Sequence, residues 1–326
     1  MTDDETDVAA SVRRVGPRAL VLGSRDVPLG GVRGMTVTRA LPQRDLPMVG
    51  AWCFLDRFGP QTTTMRVEPH PHIGLQTVTW PFEGRVRHRD SVSSDVVITR
   101  GQLNLMTAGA GVAHSEYSVG DGPIPLDALQ LWVALPEARR HGEAAFERHD
   151  RLPEVTLAAT VGEPAVGLVV MGSFAGVTSP ATAYSPLVGA EVHLAPGSRV
   201  ALPVDAAWEH AVLAVDGDLA VQTDTTPATP ASLGVGDLIY LGTDRDEIEV
   251  STDGGATLFL LGGEPFEDDI VMWWNFVART HEEIVAARDS WEAGAERFGR
   301  VVDHGDERIP APPLPGVRLT TRRRRV

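Results

Sequence analysis

Val78-Thr79-Trp80-Pro81-Phe82-Glu83-Gly84-Arg85-Val86 has a counterpart in Val212-Leu213-Ala214-Val215-Asp216-Gly217-Asp218-Leu219. Each is a strand-like run, an acidic residue with a glycine, and the start of a second run. A further match follows in both copies: Thr99-Arg100-Gly101-Gln102-Leu103 against Val235-Gly236-Asp237-Leu238. The two glycines lie 17 residues apart in the first copy (84 to 101) and 19 in the second (217 to 236). A strand-turn-strand unit repeated at nearly equal spacing predicts a duplicated β-barrel.

The rest of the chain is punctuated in the same way. Leu129–Leu135 is apolar and partly alternating and stops at Pro136. Shorter strand-like runs are expected at Glu191–Leu194, Arg199–Pro203, Ala211–Val215, Asp237–Leu241 and Ala256–Leu261. Glycine (33) and proline (24) are frequent enough to favour short strands and turns over long helices. The charged segment Pro136–Pro153 is the expected inter-domain linker, which divides the chain into residues 1–148 and 149–326. One helix is expected late. Thr280 with Glu283 makes a capping box, Ile284, Ala287, Arg288, Trp291 and Ala295 follow at helical spacing, and Gly299 can stop it.

Composition excludes several chemistries. All 29 basic residues are arginine, so there is no lysine for a Schiff base or a P-loop. Cys53 is the only cysteine, which excludes an internal disulfide, a redox pair and a cysteine-rich zinc site. The net charge of −15 disfavours direct binding to nucleic acid. The run Arg322–Arg325 is read as a solvated tail, and the first dozen residues as a disordered leader. Met1–Ala10 is acidic and no apolar run approaches bilayer length, so the expectation is a cytoplasmic protein without membrane contact.

The densest chemical signal is Glu68-Pro69-His70-Pro71-His72-Ile73-Gly74-Leu75-Gln76. Residues i and i+2 of a strand face one side, so His70 and His72 point together. Downstream, His114 and Glu116 repeat that spacing in Met106–Glu116. Two same-face pairs on two strands of one barrel can close on a single ion. Three neutral imidazoles and one carboxylate suit divalent Fe, Ni, Cu, Zn or Mn and leave up to two octahedral positions for water, dioxygen or a chelating substrate. A dinucleotide site is the rival reading of Gly109-Ala110-Gly111, but His114 stands where the third glycine belongs and no helix pattern follows. His88, His141, His149, His193, His210, His281 and His304 are read as structural, His210 as a polar pair with Glu209.

These stretches resemble the pirin family of bicupins. The resemblance rests on His70–Trp80, Glu83-Gly84, His88-Arg89-Asp90-Ser91 and Met106–Glu116, and extends from about Gly34 to the helix after Thr280. It implies an all-β fold of two tandem cupin (jelly-roll-like) β-barrels with a short C-terminal helix. It implies iron, Fe(II), held by His70, His72, His114 and Glu116, with Ni, Mn, Zn and Cu as alternatives. One departure from the cupin pattern is Gln76, where a glutamate is usual, so Glu116 is the remaining carboxylate. The second barrel is expected to hold no metal, since aligning its glycines puts Pro203, Asp205, Glu249 and Ser251 at the ligand positions. Some pirins open the central ring of quercetin, which implies a flavonol-like substrate, dioxygen and Glu116 as the base. Phe54, Met106 and Trp80 are the candidate apolar walls. The alternative the family implies is an iron-dependent regulatory protein that binds a transcription factor or metabolic enzyme. A monomer is expected in either case.

Overall fold

The computed structural model describes residues 15–28, 35–223 and 229–321. The leader, Gly34 and the Arg322–Arg325 run lie outside them. The architecture is all-β, with two cupin barrels in tandem. Each barrel is one large sheet and one small sheet. The repeated motif is the same in both. Leu75–Glu83 turns at Gly84 into Val86–Asp90, and Glu209–Asp216 turns at Gly217 into Leu219–Val221. Gly84 (φ 88°) and Gly217 (φ 70°) both take the left-handed backbone that glycine adopts without penalty. The expected strands are present, several with longer limits, such as Ile124–Ala134 and Leu187–Leu194.

The two large sheets face each other and share the main core. Trp52 and Trp80 enter it from the first barrel, Leu187, Tyr240 and Phe259 from the second. Trp52 spans the interface. Its indole N–H lies 3.0 Å from the Val188 carbonyl and 3.1 Å from that of Gly262. A Cβ at Gly189 would come within 2.9 Å of that ring, so glycine allows the sheets to close here.

The chain ends are exchanged between the barrels. Pro17–Leu22 pairs with Leu238–Gly242 at the edge of the second barrel's large sheet. The hairpin Val271–Ala278 and the helix His281–Glu292 come after the second barrel but pack on the first, where Phe276 and Ile284 meet Ile73 and Ala113. Gly74 makes this docking possible, since a Cβ there would lie 2.1 Å from the Val277 carbonyl oxygen. The expected boundary at 148/149 falls within the strand Ala145–His149, which pairs with Leu103–Thr107 and extends the first barrel's large sheet.

The capping box of Thr280 and Glu283 forms as expected. The helix stops at Glu292, well before Gly299, because Gly294 (φ 67°) leaves the helical region. Gly299 instead follows a short 3₁₀ turn, Glu296–Phe298. Among the described residues no helix is long and apolar enough to cross a membrane.

Candidate metal centre

The site is built on the four-stranded sheet of the first barrel. Its middle strand, Val112–Ser118, lies between Arg66–His72 and Val86–Asp90. His114 pairs with His70 on one side and Asp90 on the other. Two residues on, Glu116 pairs with Val67 and His88, across a bulge that re-aims the strand. All of these side chains except that of Val67 carry polar ligand atoms, and all but Val67 are buried.

The donor atoms of His70, His72 and His114 lie within 4.8 Å of one another, and those of His88, His114 and Glu116 do the same. The structure therefore gathers the three expected imidazoles. It places Glu116 beside His114 and adds His88, a residue expected from the sequence to be structural.

Hydrogen bonds define the imidazole tautomers. His70 Nδ1 is 2.9 Å from the Glu68 carbonyl oxygen, and His72 Nδ1 is 3.1 Å from that of Asn275. A carbonyl only accepts, so both Nδ1 atoms carry a proton, and in a neutral ring the lone pair is then on Nε2. His72 Nε2 faces His114 Nε2 at 3.1 Å. Burial, with His70 nearby, pushes both His72 and His114 well below the ordinary histidine range, so the rings are neutral. Glu116 is raised from the ordinary carboxylate range, chiefly by burial and against the pull of His88 and a 2.9 Å hydrogen bond from Thr79 Oγ1. Converging lone pairs from neutral imidazoles beside a carboxylate fit a divalent transition metal.

The imidazoles and Glu116 lie at the foot of a cavity of about 690 Å³. Phe54 and Trp132 stack at 4.0 Å along one wall, and His72 meets Trp132 edge-on. Met272, Trp273 and Trp274 of the C-terminal hairpin line another part.

Residues 34–133 match the Pirin family, and residues 189–299 match the Pirin C-terminal cupin domain. The chain belongs to the pirin family. A Pseudomonas aeruginosa protein provisionally named a quercetin 2,3-dioxygenase is 41% identical over 90% of this chain and 89% of its own length. The crystal structure of a quercetin 2,3-dioxygenase from Acinetobacter baumannii superposes with a TM-score of 0.84, at 36% identity, over 94% of this chain and 98% of that one. A bacterial pirin from Escherichia coli, solved with nickel(II), shares the fold at 15% identity and a TM-score of 0.59, over 76% of this chain and 100% of that one.

In this pirin several expected side chains sit elsewhere. Of the candidate walls, Phe54 lines the cavity. Trp80 is in the inter-barrel core, with its indole N–H 2.5 Å from Glu191 Oε2, and Met106 packs with Ala108 and Val112. Gln76 also faces away from the metal site. Its amide nitrogen donates to Thr107 Oγ1 (3.0 Å) and to the Thr182 carbonyl (3.1 Å).

The second barrel differs at the equivalent strands. Sheet register puts Ala201 opposite Glu249, with Val200 opposite Val250 and Leu202 opposite Ile248 on the other face. Ala201, Pro203, Glu249 and Ser251 lie on the outer, half-buried to exposed face of these strands, and Asp205 lies beyond the end of Arg199–Pro203. None of the residues that the sequence alignment put at the ligand positions (Pro203, Asp205, Glu249 and Ser251) therefore points into the barrel. The interior there is filled by Val200, Leu202, Ile248 and Val250. His210 points into this apolar interior. It makes no polar pair with Glu209, and neither ring nitrogen has a hydrogen-bond partner among the described residues. Glu209 Oε2 accepts instead from the Gly50 amide across the barrel interface, at 2.8 Å.

Proposed function

We propose that this pirin is a mononuclear metal enzyme that opens flavonols with dioxygen, with Fe(II) as the resident metal. His70, His72, His114 and Glu116 would hold it, a donor set that also accepts Ni, Mn, Zn and Cu. The observation that carries the reading is the approach of His72 Nε2 and His114 Nε2 to 3.1 Å at the foot of a ligand-sized cavity. The names of the Pseudomonas and Acinetobacter relatives support the substrate class.

When bound, the metal supplies Lewis acidity and one-electron chemistry toward dioxygen. The protein supplies the rest. Glu116 accepts the proton of the flavonol 3-hydroxyl; burial raises its proton affinity and the Thr79 hydroxyl orients it. The stacked Phe54–Trp132 pair offers a flat face to a planar aromatic ligand. Met272, Trp273 and Trp274 exclude water from the same space.

A regulatory role would favour a pocket too small for a flavonol. The observed volume instead falls within the range of small-molecule sites, roughly 300–1,000 Å³. Anaerobic loading with Fe, Mn, Ni or Cu, followed by quercetin and oxygen, tests the proposal. Loss of the flavonol absorbance is expected in at least the iron form. No loss in any of the four forms overturns it.

A further inference from the structure

His114 is the only imidazole of the metal-facing trio whose Nδ1 does not meet a carbonyl. It faces another imidazole instead, His88 Nδ1, at 3.3 Å. His88 in turn places Nε2 3.1 Å from Asp90 Oδ2. The other oxygen of Asp90, Oδ1, accepts from the backbone N–H of Val92 (3.0 Å) and of Ser94 (2.8 Å). His88 and Asp90 are buried, and the His88 ring stacks on Phe146 at 4.6 Å. The chain of contacts therefore runs Asp90–His88–His114–His72.

With neutral rings only two proton arrangements join His88 to His114 by a hydrogen bond, and they differ at the metal-facing end. In the first, His88 Nε2–H donates to Asp90, His88 Nδ1 accepts from His114 Nδ1–H, and His114 Nε2 keeps its lone pair. In the second, every proton moves to the opposite nitrogen. His88 Nδ1–H donates to His114 Nδ1, and His114 Nε2–H donates to His72 Nε2. The second arrangement closes the metal-facing nitrogen with a proton. It also leaves the lone pair of His88 Nε2 against a carboxylate oxygen, which only accepts.

We infer that Asp90, acting through His88, is a positioning residue that fixes His114 as the Nδ1–H tautomer and so keeps His114 Nε2 open to the metal. The inference rests on the metal reading above. It adds a third supporting acceptor to the Glu68 and Asn275 carbonyls that hold His70 and His72. In metal sites such outer partners of a ligating histidine typically control affinity by about 10- to 100-fold.

Asp90→Asn is the decisive variant. The Asn oxygen can keep both backbone N–H bonds, which leaves the amide NH₂ facing His88 Nε2. A donor there selects the second arrangement, in which every polar group of the chain is still paired. The apo fold is therefore retained while His114 presents a proton to the metal. His88→Gln should preserve the original order, because a glutamine can donate to Asp90 and accept from His114. His88→Leu removes the acceptor altogether.

The experiment is a cobalt(II) titration of metal-free full-length protein, followed by visible absorption, alongside thermal melting of the apo form. Nitrogen-15 NMR of labelled apo protein reads the His114 tautomer directly. Cobalt affinity should fall about 10- to 100-fold in Asp90→Asn and His88→Leu, with His88→Gln close to wild type. The apo melting temperature of Asp90→Asn should match wild type, and its His114 proton should move from Nδ1 to Nε2. Wild-type affinity in Asp90→Asn, or an unmoved His114 proton, overturns the inference while the metal reading stands. Should Asp90→Asn not fold, wild-type affinity in His88→Leu overturns it equally. A wild-type protein that binds no cobalt overturns the metal reading and this inference with it.

Discussion

His72 donates its Nδ1–H to the carbonyl oxygen of Asn275, 203 residues further along the chain, at 3.1 Å. A ligand of the first barrel is thus held by a hairpin that follows the second. Trp274, next to Asn275, has φ 53°, a left-handed conformation that a bulky residue adopts only when its surroundings hold it there. Phe276 is the anchor of that hairpin. It is fully buried and packs against Trp274 and Phe298.

Phe276→Ala is therefore expected to destabilise the protein by about 3–5 kcal/mol and to weaken metal binding as well, since the Asn275 carbonyl loses its support. Urea unfolding of the apo protein and a metal titration read the two effects. Loss of stability with undiminished metal affinity would show that the hairpin does not hold His72.

Gln76→Glu restores the carboxylate common in cupins, yet it is expected to add no ligand. The side chain points into the inter-barrel layer, where the Thr182 carbonyl requires a donor. A carboxylate there meets an acceptor and is buried without a cationic partner. The expected result is unchanged metal stoichiometry and affinity, with stability lowered by about 2 kcal/mol or more. Tighter metal binding in this variant would contradict the orientation of Gln76.

The metal-facing residues were legible because strand parity is local. His70 and His72 share one face, His114 and Glu116 another, and two residues of spacing suffice to say so. The same parity along Leu75–Glu83 groups Gln76 with Val78, Trp80 and Phe82 on the core face and so separates it from the metal. His88 was less accessible. Its spacing to Asp90 is visible in the sequence, but its contact with His114 arises from lateral pairing of Val86–Asp90 with Val112–Ser118, and register between strands is not written in either strand alone. The exchange of chain ends was hidden for a related reason. Trp273 and Trp274 lie far from the first barrel in sequence, and only the docking of Phe276 onto Ile73 brings them to the cavity.

His114→Ala and Glu116→Gln should separate binding from chemistry. His114 offers a neutral nitrogen at the centre of both ligand groups, and no neighbouring side chain replaces it. Metal content after His114→Ala is expected to fall to background, with the apo protein still folded. Glu116→Gln retains an amide oxygen as a weak donor but loses the base. Turnover of quercetin by the iron form should drop by about 10²–10⁴-fold, with a smaller loss of metal than in His114→Ala. Full metal content in His114→Ala, measured by elemental analysis, would refute the site itself.

His210 makes stability depend on pH through a group remote from the metal. Burial in the second barrel lowers it from 6.5 to about 4, with Arg245 adding to the effect and Asp205 opposing it. The folded state therefore favours the neutral ring. Above pH 6.5 the residue is neutral in both folded and unfolded chains and contributes no pH dependence. As the pH falls from 6.5 toward 4, the unfolded chain takes up a proton that the folded chain does not, and stability declines. Below about 4 both states are protonated and the loss levels off, at about 3 kcal/mol. His210→Leu removes the titrating group along with two ring nitrogens that lack partners, so at pH 7 the variant should be at least as stable as wild type. Its unfolding free energy should exceed that of wild type by a margin that widens by about 3 kcal/mol between pH 7 and pH 4. Urea melts of metal-free protein at both pH values measure that margin, and a constant difference between the two proteins would mean that His210 is already protonated, or solvated, in the folded barrel.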